Sequence, residues 1–178
     1  LLEQSGVNYL AVPVAGRART NLTVIGEGET TKINEPGSRL DAEEVTAVED
    51  ALLGAATDAT LVMLSGSLAP GFPLDEYVRL VDRLHPLGKW VGVDTSDAAL
   101  VALSEAFPGS APNFLKPNAL ELGQITGHDG QEIERRALSG DFAPAKDAAL
   151  ALRERGVDEV LVTLGGAGAL LATEGGVW

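Results

Sequence analysis

Residues 60–93 read TLVMLSGSLAPGFPLDEYVRLVDRLHPLGKWVGV, and this stretch decides the fold class. Thr60 to Leu64 is apolar without interruption, the pattern of a strand buried in a parallel sheet. A loop, Ser65 to Pro73, comes next. Leu74 to Leu84 then carries apolar residues at helical spacing, and a second apolar run occupies Trp90 to Val93. Strand, helix and strand in that order form a βαβ unit, whose two strands must be parallel.

Toward the C-terminus the rhythm repeats. A helix is expected over Ser96 to Phe107, a short strand over Asn113 to Leu115 and a helix from Asn118 to about Thr126. Asp129 to Asp141 reads as a polar stretch, after which Pro144 opens a helix that stops at Gly156. Asp158 to Leu164 and Ala169 to Thr173 read as strands around Gly165-Gly166-Ala167-Gly168. Toward the N-terminus, Asp41-x-x-Glu44 has the form of a capping box, and Val45, Val48 and Leu52 continue a helix to Gly54. Before it, Asn8 to Val14, Thr20 to Ile25 and Thr30 to Asn34 read as strands, the last two a hairpin across Gly26 to Glu29. The expected architecture is α/β: an open, mostly parallel sheet with flanking helices in three αβα layers, plus a small β lid drawn from residues 8–35.

Composition narrows the function classes. A length of 178 residues suits one domain with a sizeable core. Thirteen Lys and Arg against 26 Asp and Glu leave a formal charge of −13, the wrong sign for a phosphodiester backbone, so no nucleic-acid partner is expected. Cysteine is absent, which excludes disulfides, thiolate zinc sites and a cysteine nucleophile and suits a reducing cytoplasm. No apolar run approaches the roughly 18 residues of a membrane span, and Leu1 to Asn8 has no basic leader region, so no membrane partner is expected. A start on Leu1 and an end on Gly175-Gly176-Val177-Trp178, just past a strand, lead us to expect further native sequence on both sides.

Ligands of open α/β sheets bind beyond the carboxyl ends of the strands, so chemistry is sought in the loops there. Ser65-Gly66-Ser67-Leu68 offers hydroxyls and backbone donors to a polyhydroxylated ligand, or is an ordinary turn. Val93-Asp94-Thr95-Ser96 sets an acid before a helix, where a capping role is expected for Asp94. Lys116-Pro117-Asn118-x-x-Glu121 combines a cation, an amide and a carboxylate, a set that suits magnesium and phosphates and equally suits a capping box. Thr163-Leu164-Gly165-x-x-Gly168 runs a strand into a bend that a phosphate or flat base can approach, or into a plain hairpin. Arg17 and Arg19, two apart in a presumed strand, would share one face as an anion clamp or protect a strand edge. His85 and His128 are read as structural. Neither the dinucleotide glycine fingerprint nor a G-x-x-x-x-G-K-[ST] loop is present.

Taken in order, Gly16-Arg17-Ala18-Arg19-Thr20-Asn21, Lys32-Ile33-Asn34-Glu35-Pro36-Gly37, Ser65-Gly66-Ser67-Leu68, Lys116-Pro117-Asn118-x-x-Glu121 and Thr163-Leu164-Gly165-x-x-Gly168 resemble the ribokinase-like (PfkB) sugar kinases, across essentially all 178 residues. Within that family the chain is most similar to the 1-phosphofructokinase and tagatose-6-phosphate kinase branch. The resemblance implies ATP as co-substrate, Mg2+ as cofactor and a phosphorylated ketohexose such as fructose 1-phosphate as acceptor. It implies that Arg19 with Asn21, and more weakly Arg17 and Lys32, bind the phosphate already on the sugar, while Ser65 and Gly66 line the sugar site. It also implies that Asn118 and Glu121 organise magnesium and nucleotide phosphates, with Lys116 beside them, and that Thr163, Gly165 and Gly168 border the nucleotide.

The family's Gly-Ala-Gly-Asp, whose Asp is the base, has no match here: Gly166-Ala167-Gly168 continues with Ala169, so no catalytic residue is assigned and the base is expected beyond Trp178. Residues 1–178 are then expected to be a single incomplete domain, inactive by itself. The alternative is a non-catalytic sugar-phosphate or nucleotide sensor on the same fold. A homodimer through the β lid is a further expectation, from the apolar character of Val12 to Ile25.

Overall fold

The structure is a computed structural model and describes residues 3–26 and 30–178. In chain order its elements are β1 (Asn21–Ile25), β2 (Thr30–Asn34), α1 (Ala42–Ala56), β3 (Leu61–Ser65), α2 (Glu76–Leu84), β4 (Trp90–Asp94) and α3 (Asp97–Glu105), then β5 (Phe114–Leu115), α4 (Ala119–Thr126), α5 (Gly130–Leu138), α6 (Ala143–Glu154), β6 (Glu159–Thr163), β7 (Ala169–Thr173) and β8 (Gly176–Val177). They fall into two compact units, residues 1–55 with 68–73 and residues 56–67 with 74–178.

The larger unit is built on one sheet of order β3-β4-β5-β6-β7-β8. β3 to β6 are parallel, with Leu61 opposite Trp90, Ser65 opposite Asp94, Val93 opposite Leu115 and Leu115 opposite Val160. β7 and β8 add to the edge antiparallel. The mostly parallel sheet flanked by helices is therefore the architecture expected. Because the parallel order runs one way, right-handed crossovers place α2, α3 and α4 to α6 along the same face. Val62, Leu64, Val93, Leu115 and Val160 pack beneath Leu84, Leu100, Leu122 and Leu152, all buried. The alternate residues Leu61 and Met63 of β3 remain exposed. Gly92 is required for space: a Cβ there would lie 2.5 Å from the Met63 sulfur.

In the smaller unit β1 and β2 pair antiparallel from Asn21–Asn34 to Ile25–Thr30. The capping box at α1 forms as expected, the Glu44 amide donating to Asp41 Oδ1 at 2.9 Å and the Asp41 amide to Glu44 Oε2 at 2.9 Å. Gly54 does not end this helix, which runs on to Ala56. Gly71 meets residue 40 closely: Leu40 donates to the Pro70 carbonyl at 2.7 Å, and a Cβ on Gly71 would sit 2.3 Å from the Leu40 oxygen.

Two expectations need correction. Residues 8–20 form no strand, so Arg17 and Arg19 do not share a strand face. The amides of this segment bond to side chains instead of a ladder: Ala15 to Glu44 Oε1 at 2.6 Å, Arg17 to Ser38 Oγ at 2.9 Å and Thr20 to Glu35 Oε2 at 2.8 Å. The polar stretch 129–141 contains helix α5. Its Asp129 side chain caps the Gln131 and Glu132 amides, and Ile133 and Ala137 bury one stripe. The hairpin turn at 27–29 lies outside the described residues.

One side chain ties three helix ends together. Arg155, just past α6, donates from Nη1 to the Ile125 carbonyl at 2.8 Å and from Nη2 to the Ser104 carbonyl, and its guanidinium lies 5.3 Å from the Phe107 ring centre. It supplies a positive charge at the carbonyl ends of α3 and α4. Arg155→Ala should lower stability by about 1.5–3 kcal/mol, the usual worth of hydrogen bonds to a charged group, and Arg155→Lys should restore less than half. Urea unfolding midpoints measure both. A loss below about 0.5 kcal/mol would show that water serves those carbonyls equally well.

Candidate functional site

The parallel strands carry four sequence motifs to their carboxyl ends. β5 stops at Leu115, and the Lys116 amide still donates to the Val93 carbonyl at 3.1 Å. One step on, the Thr163 amide donates to the Pro117 carbonyl at 3.0 Å, and Asn118 bridges to Thr163 in parallel register. The start of α4 is thereby fixed beside the end of β6. Asn118 is the N-cap of α4: its Oδ1 accepts the Glu121 amide at 2.9 Å, while Glu121 Oε2 accepts the Asn118 amide at 2.8 Å. The capping box is complete, and the positive end of the helix faces outward from it.

Beyond Thr163 the chain makes a 3₁₀ turn, Gly165–Ala167, before β7. Leu164 donates to the Gly168 carbonyl at 2.8 Å, and Gly165 and Gly168 adopt φ of 55° and 100°. Left-handed values of this kind favour glycine. Between this bend and the start of α4 lies a cleft of about 470 Å³ lined by Asn118, Ala119, Leu120, Glu134, Thr163, Gly165 and Gly168.

Four residues singled out for the nucleotide, Asn118, Thr163, Gly165 and Gly168, thus border one cleft. Lys116 is not among the lining residues. Its Nζ pairs with Asp94 Oδ1 at 3.0 Å, both side chains about one third exposed. The expectation that Asp94 caps a helix is therefore corrected: Ser96 holds the N-cap position of α3, and the Asp94 carboxylate is drawn to the cation on the neighbouring strand end. Among the described residues no group of three or more His, Cys, Asp or Glu side chains could hold a metal. Asn118, which lines the cleft, and Glu121, which does not, form one donor set through the capping box, and magnesium commonly takes only one or two carboxylates and fills its shell with water and phosphate. The set fits that habit.

At the end of β3, Gly66 donates its amide to the Asp94 carbonyl at 2.8 Å. Its own carbonyl accepts from Tyr77 Oη at 2.6 Å and Thr95 Oγ1 at 3.0 Å. Ser65 and Gly66 are exposed there. In the smaller unit, Arg17 and Arg19 are exposed on a segment whose backbone is clasped by Ser38 and Glu35, and Arg19 runs over Gly37, 3.6 Å from where its Cβ would be. Asn21 opens β1 opposite Asn34. Lys32 faces Thr23 in β2, and its side chain lies outside what the structure describes. His128 bonds Thr126 Oγ1 at 2.9 Å and does not line the cleft.

Two contributors escape a reading of the sequence. Glu134 lines the cleft from α5, its Oε1 only 2.9 Å from the Cβ position of Gly165. The Ile133–Ala137 spacing after Asp129 was the signal for that helix. Tyr77 reaches Gly66 across 11 residues, and no local pattern announces such a bond.

Known proteins share this fold. The chain is 37% identical over 172 residues to a 1-phosphofructokinase of Xanthomonas campestris pv. campestris, covering 96% of this chain and 51% of that protein. Phosphofructokinase-2 from Escherichia coli in complex with substrates and products superposes with a TM-score of 0.82 at 26% identity, over 100% of this chain and 55% of that one. The tetrameric inhibited form of the same enzyme gives 0.80 at 26% identity, over 99% and 55%. The chain spans about half the length of the relatives it matches. Residues 1–178 match the family described as pfkB family carbohydrate kinase, so the helix start and glycine bend that enclose the cleft are those of a chain belonging to the pfkB family of carbohydrate kinases.

Proposed function

We propose that the protein is a cytoplasmic sugar-phosphate kinase that transfers the γ-phosphoryl group of ATP to a phosphorylated ketohexose such as fructose 1-phosphate, residues 1–178 being part of its kinase domain. The observation that carries this is the cleft itself, where the positive end of α4, Thr163 and two left-handed glycines converge. Such a site suits a polyphosphate, because helix N-termini and glycine-rich turns present amides to anions. The 37% identity to a 1-phosphofructokinase adds support for the acceptor class.

Phosphoryl transfer needs positioning and charge neutralisation more than covalent chemistry. In this reading Asn118, Thr163, Gly165 and Gly168 hold the nucleotide, and Lys116 exchanges its Asp94 partner for a phosphate. Glu121 keeps Oε2 on the Asn118 amide and offers Oε1 to magnesium. Bound magnesium would neutralise phosphate charge and hold the transferring group in line. Arg19, with Asn21, recognises the phosphate already on the sugar, and Arg17 and Lys32 add positive charge. Ser65 and Gly66 bear on the sugar hydroxyls. No residue of 1–178 is assigned as the base: Gly168 is followed by Ala169, which opens β7. The second reading is a sensor that binds these ligands without turnover.

A lid-to-lid homodimer is the proposed assembly. Leu22, Val24, Ile25 and Ile33 are all exposed on the two-stranded ribbon, and such a ribbon is marginal alone. The E. coli relative is described as tetrameric in an inhibited form.

ADP release from ATP, magnesium and fructose 1-phosphate by the full-length protein tests the activity, and binding of both ligands with no ADP would leave the sensor. Arg19→Ala should reduce kcat/KM for the sugar phosphate by about 2–4 kcal/mol, the loss typical of truncating a close charge pair, with the KM for ATP nearly unchanged. Equal losses for both substrates would remove Arg19 from phosphate recognition. Glu121→Gln retains an acceptor for the cap and removes the charge. It should shift half-saturation by magnesium upward about tenfold while the thermal midpoint moves little, and an unchanged magnesium titration would exclude Glu121. Leu22→Asp with Ile33→Asp should lower the mass measured by light scattering to that of a monomer. An unchanged mass would place any interface elsewhere.

A further inference from the structure

Gly66 has both backbone groups taken up inside the fold. Its amide donates to the Asp94 carbonyl at 2.8 Å. Its carbonyl oxygen, with two lone pairs, accepts from two hydroxyls, Tyr77 Oη at 2.6 Å and Thr95 Oγ1 at 3.0 Å. Tyr77 and Thr95 are each 5% exposed, so neither is open to a ligand. Gly66 has φ of +106°, and nothing lies within 4 Å of its Cβ position. Glycine is needed there for backbone shape and not for room.

The geometry has a directional consequence. The peptide from Gly66 to Ser67 is trans, since the only cis bond recorded among the described residues is Phe107–Pro108. In a trans planar peptide the C=O and the following N–H point opposite ways. With the Gly66 carbonyl drawn toward Tyr77 and Thr95, the Ser67 N–H is turned away from those buried hydroxyls. Two donors on one oxygen set the rotation of that plane more tightly than one. Burial, the main cause, pushes the Tyr77 phenol above its ordinary range, the neighbouring Thr95 hydroxyl works against this and the Asp94 carboxylate reinforces it, so the phenol stays a protonated donor at neutral pH.

We propose that Tyr77 and Thr95 are positioning residues whose two hydroxyls orient the Gly66–Ser67 peptide, so that Ser65 to Ser67 meet the hydroxyls of the sugar phosphate in one preset arrangement, a role that rests on the proposed kinase activity. They act through the backbone and touch no substrate. Preset donors favour binding because the ordering cost is already met in the free protein.

Steady-state kinetics of the full-length protein and hydrogen exchange of its Gly66 amide test this together. Tyr77→Phe and Thr95→Val should each raise the KM for fructose 1-phosphate about 5- to 10-fold, one net hydrogen bond, and leave the KM for ATP within about twofold. Thr95→Ser, which keeps the hydroxyl, should restore the parent value. The double variant should exceed the product of the single effects, because the carbonyl then loses both partners. In both single variants the Gly66 amide should exchange at least about tenfold faster, while amides in the centre of β4 keep the parent rate. Equal rises in both KM values, or a Gly66 amide that exchanges at the parent rate, would overturn the role. A parent protein without turnover of any ketohexose phosphate would instead remove the kinase reading, and the exchange rates alone would then uphold or remove the two-hydroxyl clamp.

Discussion

The parallel pairing of β5 with β6, carried past the end of β5 to the last residue of β6, is the constraint on which the cleft depends. β5 is only two residues long, and its ladder would end at Leu115 opposite Val160. The bond from the Thr163 amide to the Pro117 carbonyl prolongs it. Proline at 117 has no N–H to give and still offers its carbonyl, so pairing continues in one direction and stops in the other. Asn118 is left level with Thr163 as the chain turns into α4. Were the register shifted by one residue, the cap of α4 and the glycine bend would no longer border the same space.

Capping and ligand binding are usually posed as rival explanations of an Asn-x-x-Glu sequence, and here they are compatible. The cap uses one oxygen of each side chain, Asn118 Oδ1 and Glu121 Oε2. An N-cap contributes about 1 kcal/mol to helix stability, enough to hold both side chains in fixed rotamers before any ligand arrives. A carboxylate fixed in this way meets a cation without first losing rotamer freedom. The same logic holds at Gly66, where backbone bonds and two buried hydroxyls pin a loop end that is itself exposed. In both places the parts nearest a ligand are held from behind by groups the ligand does not meet.

Much of this was legible in the amino-acid sequence because it depends on local rules. Apolar runs at 60–64, 90–93 and 159–164 carry three of the four parallel strands, and Asp41-x-x-Glu44 and Asn118-x-x-Glu121 form the boxes their spacing predicts. What escaped depends on partners distant in sequence. Residues 8–14 have strand-like composition, but Pro13 interrupts a ladder, and the segment's neighbours bond to Ser38 and Glu44 side chains. Asp94 has the sequence position of a cap, and the nearby Lys116, which becomes adjacent only through strand pairing, claims its carboxylate. α5 was hidden by its own polarity: Glu132, Glu134, Arg135 and Arg136 obscure a narrow apolar stripe of Ile133 and Ala137.

Charge is the last constraint. A chain with a formal charge of −13 that took the two anionic ligands proposed for it could not rely on its net field, which repels both. Screening reduces that repulsion beyond about 10 Å at ordinary ionic strength, so the sign of the immediate surroundings decides binding. In the proposed sites, the positive groups are the α4 N-terminus and Lys116 in the larger unit and, separately, Arg17 and Arg19 in the smaller one. Glu134 is the exception, a carboxylate on the wall of the cleft beside Gly165. A carboxylate repels phosphate and accepts hydrogen bonds from hydroxyls or amines. The nucleotide proposed for this cleft would thus lie with its sugar or base toward Glu134 and its phosphates toward Asn118, a polarity set by one acid on the helix hardest to read from sequence.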